Sequence, residues 1–129
     1  MTRWSLAARS LPILLISLAG CSFLFYRHHD AACRQREAAY NAKAQSLERA
    51  AQEKLKIGTR KEDVEHFFAE HGLPLTFTPH EASGTIYTTG CAPSGCGSDA
   101  AILGVRVEVD NTGTVVGKPA VGGIYTNCL

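Results

Sequence analysis

The chain has 129 residues, the size of one domain, and carries 13 basic against 12 acidic side chains for a net charge of +1. Arg3 and Arg9 precede Cys21 and every acid follows it, so the part from Cys21 onward has 11 basic against 12 acidic residues, a net charge of −1. This balance provides no concentrated basic surface, and it speaks against nucleic acid as a partner.

The first twenty residues have the order of a secretory signal, which is basic, then apolar, then small. The apolar part is Leu11–Leu18, LPILLISL, and the segment ends in LAGC at Leu18–Cys21. LAGC resembles the lipobox of bacterial lipoproteins. The resemblance implies cleavage before Cys21, a diacylglycerol thioether on its sulfur, and acylation of the new amino terminus, as with palmitate. Several acyl chains together give a stable membrane anchor. Ser22, where an Asp would signal retention, implies export to the outer membrane.

An uncleaved membrane helix is the alternative. The apolar run Leu11–Tyr26 has 16 residues, about 24 Å of helix, whereas a hydrocarbon core is about 30 Å thick. Basic residues also follow the run closely at Arg27, Arg34 and Arg36, which would leave the rest of the chain cytoplasmic.

We therefore expect a lipoprotein signal over residues 1–20, a lipid-anchored linker over 21–29, and a small α+β domain over 30–129. The predicted location is the periplasmic face of the outer membrane. A single-pass anchor in the inner membrane is the alternative location.

Two helices are predicted next. Asp30–Lys56 contains no Gly or Pro and is rich in good helix formers, which predicts a long helix. A short helix follows over Arg60–His71, with Thr59 and Glu62 as a capping box. Gly72 suits the left-handed position after that helix.

The remainder of the chain is predicted to form three or four antiparallel strands. TIYTT at Thr85–Thr89 is β-branched and aromatic, and Leu75–Thr78 is a candidate edge strand. DNTG at Asp110–Gly113 is a hairpin signal, and the return strand after it bends near Pro119.

The segment AILGVRVEVD alternates, so one face is core and the other is exposed to solvent. The predicted core face carries Leu103, Val105, Val107 and Val109. The predicted solvent face carries Gly104, Arg106 and Glu108, and we interpret Arg106 and Glu108 as candidate partner-binding residues.

The opening LKIGTRKEDVEHFFAEHGLP, followed by these strands, is similar to the BamE-like (SmpA/OmlA) outer-membrane lipoproteins. The matching positions are Gly58, Thr59, Val64, Gly72 and Pro74, and the similarity extends over residues 55–128. It implies a helix–helix–sheet domain. Members of that fold include assembly factors and inhibitor-like binding domains, so the likeness leaves function open.

Four cysteines remain after Cys21, and an even number in an exported domain predicts two disulfides. If the turn pairs Val109 with Thr114, the residue numbers of cross-strand partners sum to 223. Cys128 then lies opposite the residue next to Cys96. A bulge near Pro119 would supply the shift. The favoured pairs are thus Cys96–Cys128 and Cys33–Cys91, with Cys91–Cys96 as the local alternative.

The sequence offers no catalytic set, metal site or cofactor motif. GCAPSGCG lacks the C-x-x-C pair of zinc sites, and His28, His29 and Cys33 make only a weak metal candidate. Ser94 is not in a G-x-S-x-G context and has no partner to nominate. We expect no enzyme and no small-molecule substrate.

The predicted function is a membrane-tethered, non-catalytic protein-binding module of the periplasm, of the envelope assembly or maintenance type. An inhibitor or immunity lipoprotein that blocks a secreted hydrolase is the alternative. A sensor or stalk on an uncleaved membrane helix is a third possibility.

Overall fold

A computed structural model of the chain describes the backbone of residues 11–128 and the side chains of residues 31–128. The chain divides into two compact units, Met1–Gln35 and Arg36–Leu129. In the first unit the described backbone is helical from Leu11 onward. The second unit contains the sheet and its core.

The element order is two helices followed by four strands, which confirms the predicted α+β fold. The helices are α1, Leu11–Lys54, and α2, Lys61–Glu70. The strands are β1, Leu75–Phe77; β2, Glu81–Thr89; β3, Ala100–Glu108; and β4, Ala120–Tyr125. The sheet is an antiparallel meander in the order β1-β2-β3-β4.

Helix α1 begins nineteen residues before the predicted start at Asp30, and it ends at Lys54. Pro12 does not prevent this early start, because a proline in the first turn replaces an N–H that has no helical partner. Among the residues that the structure describes, no helix is long and apolar enough to cross a membrane.

The predicted capping box of α2 is wrong. The residue before the helix is Arg60, in an extended conformation, and no side chain caps the first turn. Thr59 instead donates its hydroxyl hydrogen to the Lys54 carbonyl at 3.1 Å, while its own carbonyl accepts the Val115 N–H at 2.9 Å. Thr59 therefore joins the end of α1 to the strand region. The predicted end of α2 is confirmed, since Gly72 has a φ of +65°.

The alternation predicted for β3 is confirmed. Leu103, Val105, Val107 and Val109 are all at most 3% exposed, whereas Arg106 and Glu108 are exposed. The main core packs Val105, Val107 and Val109 against both helices. Its helical members are Leu47 and Ala51 of α1 and Val64, Phe67 and Phe68 of α2, and Leu55 joins them directly after the end of α1.

The register of the hairpin differs from the prediction. Val109 forms its bridge with Val115, not with Thr114, because the Asp110 N–H bonds to the Thr114 carbonyl and the side chain of Asp110 occupies the turn. The irregular residues 116–119 shift the pairing register further in the same direction, so that Ala101 of β3 pairs with Tyr125 of β4. The irregular segment before Ala100 shifts the register back, and Cys96 therefore lies opposite Cys128.

Candidate functional site: the open face of the sheet

Within the second unit, α2 and the part of α1 from Arg36 onward cover one face of the sheet, and no described element covers the other. The open face, as we use the term, carries alternate residues of the three long strands. They are Glu81, Ser83, Thr85 and Tyr87 of β2; Ile102, Gly104, Arg106 and Glu108 of β3; and Ala120, Gly122 and Ile124 of β4.

Three large apolar side chains form a row across the open face. Ile102 is the direct cross-strand neighbour of both Tyr87 and Ile124. Tyr87 is 81% exposed and Ile124 is 67% exposed. Adjacent cross-strand side chains lie close enough to touch, so the row is a contiguous apolar strip. We call Tyr87, Ile102 and Ile124 the apolar row.

A flat strip follows the apolar row. The next cross-strand set is Thr85, Gly104 and Gly122, so two of its three positions have no side chain. A Cβ atom at Gly122 would have no heavy atom within 4 Å. The strip is therefore a shallow trough, with open space above Gly122.

Charged groups lie beyond the trough. Arg106 Nε is 3.6 Å from Glu81 Oε2, with the two side chains 67% and 36% exposed. Glu81 and Glu108 lie directly opposite each other. The open face thus presents an apolar edge at Ile102 and a charged edge that begins at Arg106, on the other side of the trough.

An open face of this composition is suited to binding. Aromatic residues and arginine are the types most enriched in the centres of protein interfaces, and contiguous exposed apolar patches commonly mark interaction sites. Arg106 and Glu108, the predicted binding residues, do lie on this face. The apolar row was not identified from the sequence, because each strand contributes only one of its residues. The three residues become neighbours only through the pairing register of the strands.

A polar cluster joins α1 to the loop between β2 and β3. The Arg36 guanidinium donates from Nη2 to Asp99 Oδ2 at 2.7 Å and from Nε to the Gly90 carbonyl at 3.2 Å. Asp99 also accepts the Ala92 N–H through Oδ1 at 3.0 Å. These contacts hold the loop between β2 and β3 against α1. They are structural, since every charged group in them is paired within the domain.

Cys91 and Cys96 lie in the same loop, between β2 and β3. Cys96 and Cys128 form a disulfide with an S–S distance of 1.97 Å. Cys33 and Cys91 are each disulfide-bonded as well, so all four cysteines among the described side chains are oxidised. The side chain of Cys21, the predicted lipidation site, lies outside the described residues, as do those of His28 and His29.

One open cavity of about 630 Å³ lies between the end of α1 and the segment before β4. It is lined by Gln52, Leu55, Lys56, Ile57, Gly117, Lys118 and Pro119. This lining offers two ammonium groups, an amide and apolar surface, and it contains no carboxylate, imidazole, thiol or hydroxyl. Within the described part of the chain, no group of three or more His, Cys, Asp or Glu side chains is placed to hold a metal ion.

Comparison with known proteins gives no relative. No family model, no curated protein and no solved structure matches the chain.

Proposed function

We propose that the chain is a non-catalytic protein-binding module of the bacterial envelope, held at the periplasmic face of the outer membrane by lipid on Cys21. Its work is of the envelope assembly or maintenance type, which is one of the roles found among the BamE-like lipoproteins that residues 55–128 resemble. The observation that carries the binding role is the apolar row Tyr87, Ile102 and Ile124, which is exposed on the open face although a small core would otherwise bury such side chains.

Two features of the molecule support export. Two disulfides among the described residues suit an oxidising compartment. The LAGC motif behind a basic and then apolar leader supports lipidation.

Intact mass spectrometry of the protein from membranes tests the anchor. We expect a chain that begins at Cys21 and carries acyl mass. Cys21→Ser should abolish the acyl mass and block cleavage. Full-length protein beginning at Met1, unchanged by Cys21→Ser, would replace the lipid anchor with a membrane helix.

Photocrosslinking in intact cells tests the binding role. A benzophenone amino acid in place of Tyr87 keeps an aromatic ring at an 81% exposed position of the open face. The matched control places the same group at His66, whose side chain is 79% exposed on α2. We expect a crosslinked envelope protein from position 87 and none from position 66.

The identity of the crosslinked protein separates the two functions. Components of an envelope assembly machine support the proposal. A single secreted hydrolase, held at one-to-one ratio and inactive in the complex, would show an inhibitor instead. Crosslinks from position 66 alone would move the interface to the helices.

A further inference from the structure

The two edges of the sheet differ in how they are protected. β1 is an edge of three residues flanked by Pro74 and Pro79, and short strands and prolines are common protections of edges. β4, the other edge, has six residues, AVGGIY, and carries no charge. Among the residues that the structure describes, no backbone group pairs with the outer side of β4.

The register shows which backbone groups point outward. The Thr126 N–H bonds to the Ala100 carbonyl at 3.0 Å, so this pair is of the hydrogen-bonded kind. Hydrogen-bonded pairs alternate along an antiparallel ladder. The backbone groups of Ala120, Gly122 and Ile124 therefore face β3. Those of Val121, Gly123 and Tyr125 face outward.

This outward edge is complementary to itself. We propose that β4 pairs antiparallel with β4 of a second copy of the chain about a two-fold axis at Gly123, which joins the two sheets into one. Gly123 then faces Gly123 of the other copy, and Val121 faces its Tyr125. All three outward residues become hydrogen-bonded pairs, each of which exchanges two bonds.

Side chains on the open face fit the same register. When position 123 faces position 123, Ile124 of one copy lies directly opposite Gly122 of the other. Ile124 is 67% exposed, and the space above Gly122 is empty to 4 Å. Each isoleucine thus fills the trough of the other copy. This match favours a second copy over an unrelated strand, because the same two residues supply the projection and the recess.

Pairing would cover the unpaired side of β4 and extend the open face across both copies. Isologous two-fold contacts are the commonest way in which identical chains associate. The inference does not rest on the proposed envelope function, since it needs only the edge and the register.

The test compares the full chain, purified in detergent, with two lysine variants. Gly122→Lys places a charge at the edge in open space, where the backbone does not have a positive φ. Thr85→Lys adds the same charge to the same cross-strand set, two strands away. Protein mass in the micelle, measured by sedimentation over a concentration series, should be twice that of one chain for the unaltered protein and for Thr85→Lys. For Gly122→Lys it should fall to that of one chain.

Amide hydrogen exchange followed residue by residue gives a second, independent readout. The N–H groups of Val121, Gly123 and Tyr125 should be protected only at concentrations where the dimer forms, whereas those of Gly122 and Ile124 should be protected throughout. This measurement on the unaltered chain decides the question even if Gly122→Lys fails to fold.

Three results would overturn the proposal. One is a single-chain mass at every concentration. Another is a dimer that survives Gly122→Lys with the Val121, Gly123 and Tyr125 amides in free exchange. The third is protection of those amides that does not depend on concentration, or that requires a different polypeptide.

Discussion

Tyr125, the last residue of β4, donates its hydroxyl hydrogen to the carboxylate of Glu37 on α1. The Cys91 N–H points at the same place, 3.0 Å from Glu37 Oε2 and 3.1 Å from the tyrosine oxygen. The Tyr125 ring also stacks on Tyr40, with centroids 5.7 Å apart. These contacts join the first helix, the loop after β2 and the last strand.

The contribution of Glu37 to this cluster should appear in the pH dependence of thermal stability. The hydrogen bond from Tyr125, and then that from the Cys91 N–H, lower the pKa of Glu37 below 4.5. A lowered carboxyl pKa contributes stability that is present above pH 4.5 and is lost as the pH falls through the folded-state pKa. Glu37→Gln should therefore unfold at lower temperature than the unaltered chain at neutral pH, and the difference should shrink in acid. Thermal unfolding over a pH series checks this.

The stability that Tyr125 contributes should be lost at high pH, whereas that of Glu37 is lost at low pH. Burial, and then the hydrogen bond to Glu37, raise its pKa above 10.0. Its contribution is present below pH 10 and is lost as the pH rises through the folded-state pKa. Tyr125→Phe should cost about 1–3 kcal/mol at neutral pH, because it removes a donor to a charged group. The matched control for Glu37→Gln is Glu48→Gln, which makes the same change in an exposed carboxylate of α1 that accepts a hydrogen bond from Gln52, outside this cluster.

Phe68 of α2 packs closely on Gly84 of β2. Phe68 is fully buried, and a Cβ at Gly84 would lie 2.8 Å from both Phe68 Cδ1 and the Pro74 carbonyl. Phe68→Ala should cost about 3–5 kcal/mol, and Gly84→Ala about 1–3 kcal/mol by overpacking. Gly122→Ala is the matched control, measured at a protein concentration where the chain is single, since its Cβ then meets nothing within 4 Å. Equal stability of the Gly84→Ala and Gly122→Ala variants in urea unfolding at that concentration would contradict the contact.

Charge reversal on the open face should separate stability from binding. The Arg106–Glu81 pair is largely exposed, and such pairs contribute about 0–1 kcal/mol. The double change Arg106→Glu with Glu108→Lys should barely shift the melting temperature but should weaken capture of the protein crosslinked from position 87, mainly through slower association. Normal capture by this variant would place the contact on the apolar row alone.

The Cys96–Cys128 disulfide spans 32 residues. In the chain-entropy estimate a loop of this size contributes about 3.7 kcal/mol. Removing both cysteines as Cys96→Ala with Cys128→Ala should lower stability by up to that amount. Peptide mapping without reduction should recover a peptide pair containing Cys96 and Cys128, and recovery of a Cys91–Cys96 pair would contradict the structure.

The sequence predicts elements well where a periodic pattern is strong. The alternation in β3 identified its buried and exposed faces, and Gly72 marked the end of α2. Prediction failed where side chains compete for backbone groups. Asp110 bonds to the N–H groups of Thr112 and Thr114, and this widened turn moved the register beyond what a count of residues gives.

The candidate site was only half visible in the sequence. Arg106 and Glu108 lie on one strand, so alternation alone placed them. The apolar row takes one residue from each of three strands and depends on pairings separated by irregular segments. Local patterns carry no information about such pairings until the register is known.

The bond between Glu37 and Tyr125 joins residues 88 positions apart. The meander itself is local, since each strand pairs with the next along the chain, so the hairpins can form early. α1 can dock onto β4 only after β4 has formed. Because closing the long loop between Glu37 and Tyr125 costs much chain entropy, this step is expected to be slow. If the chain leaves a translocation channel amino terminus first, Glu37 lacks its Tyr125 partner until β4 emerges. The order of folding would then be sheet first, helix last.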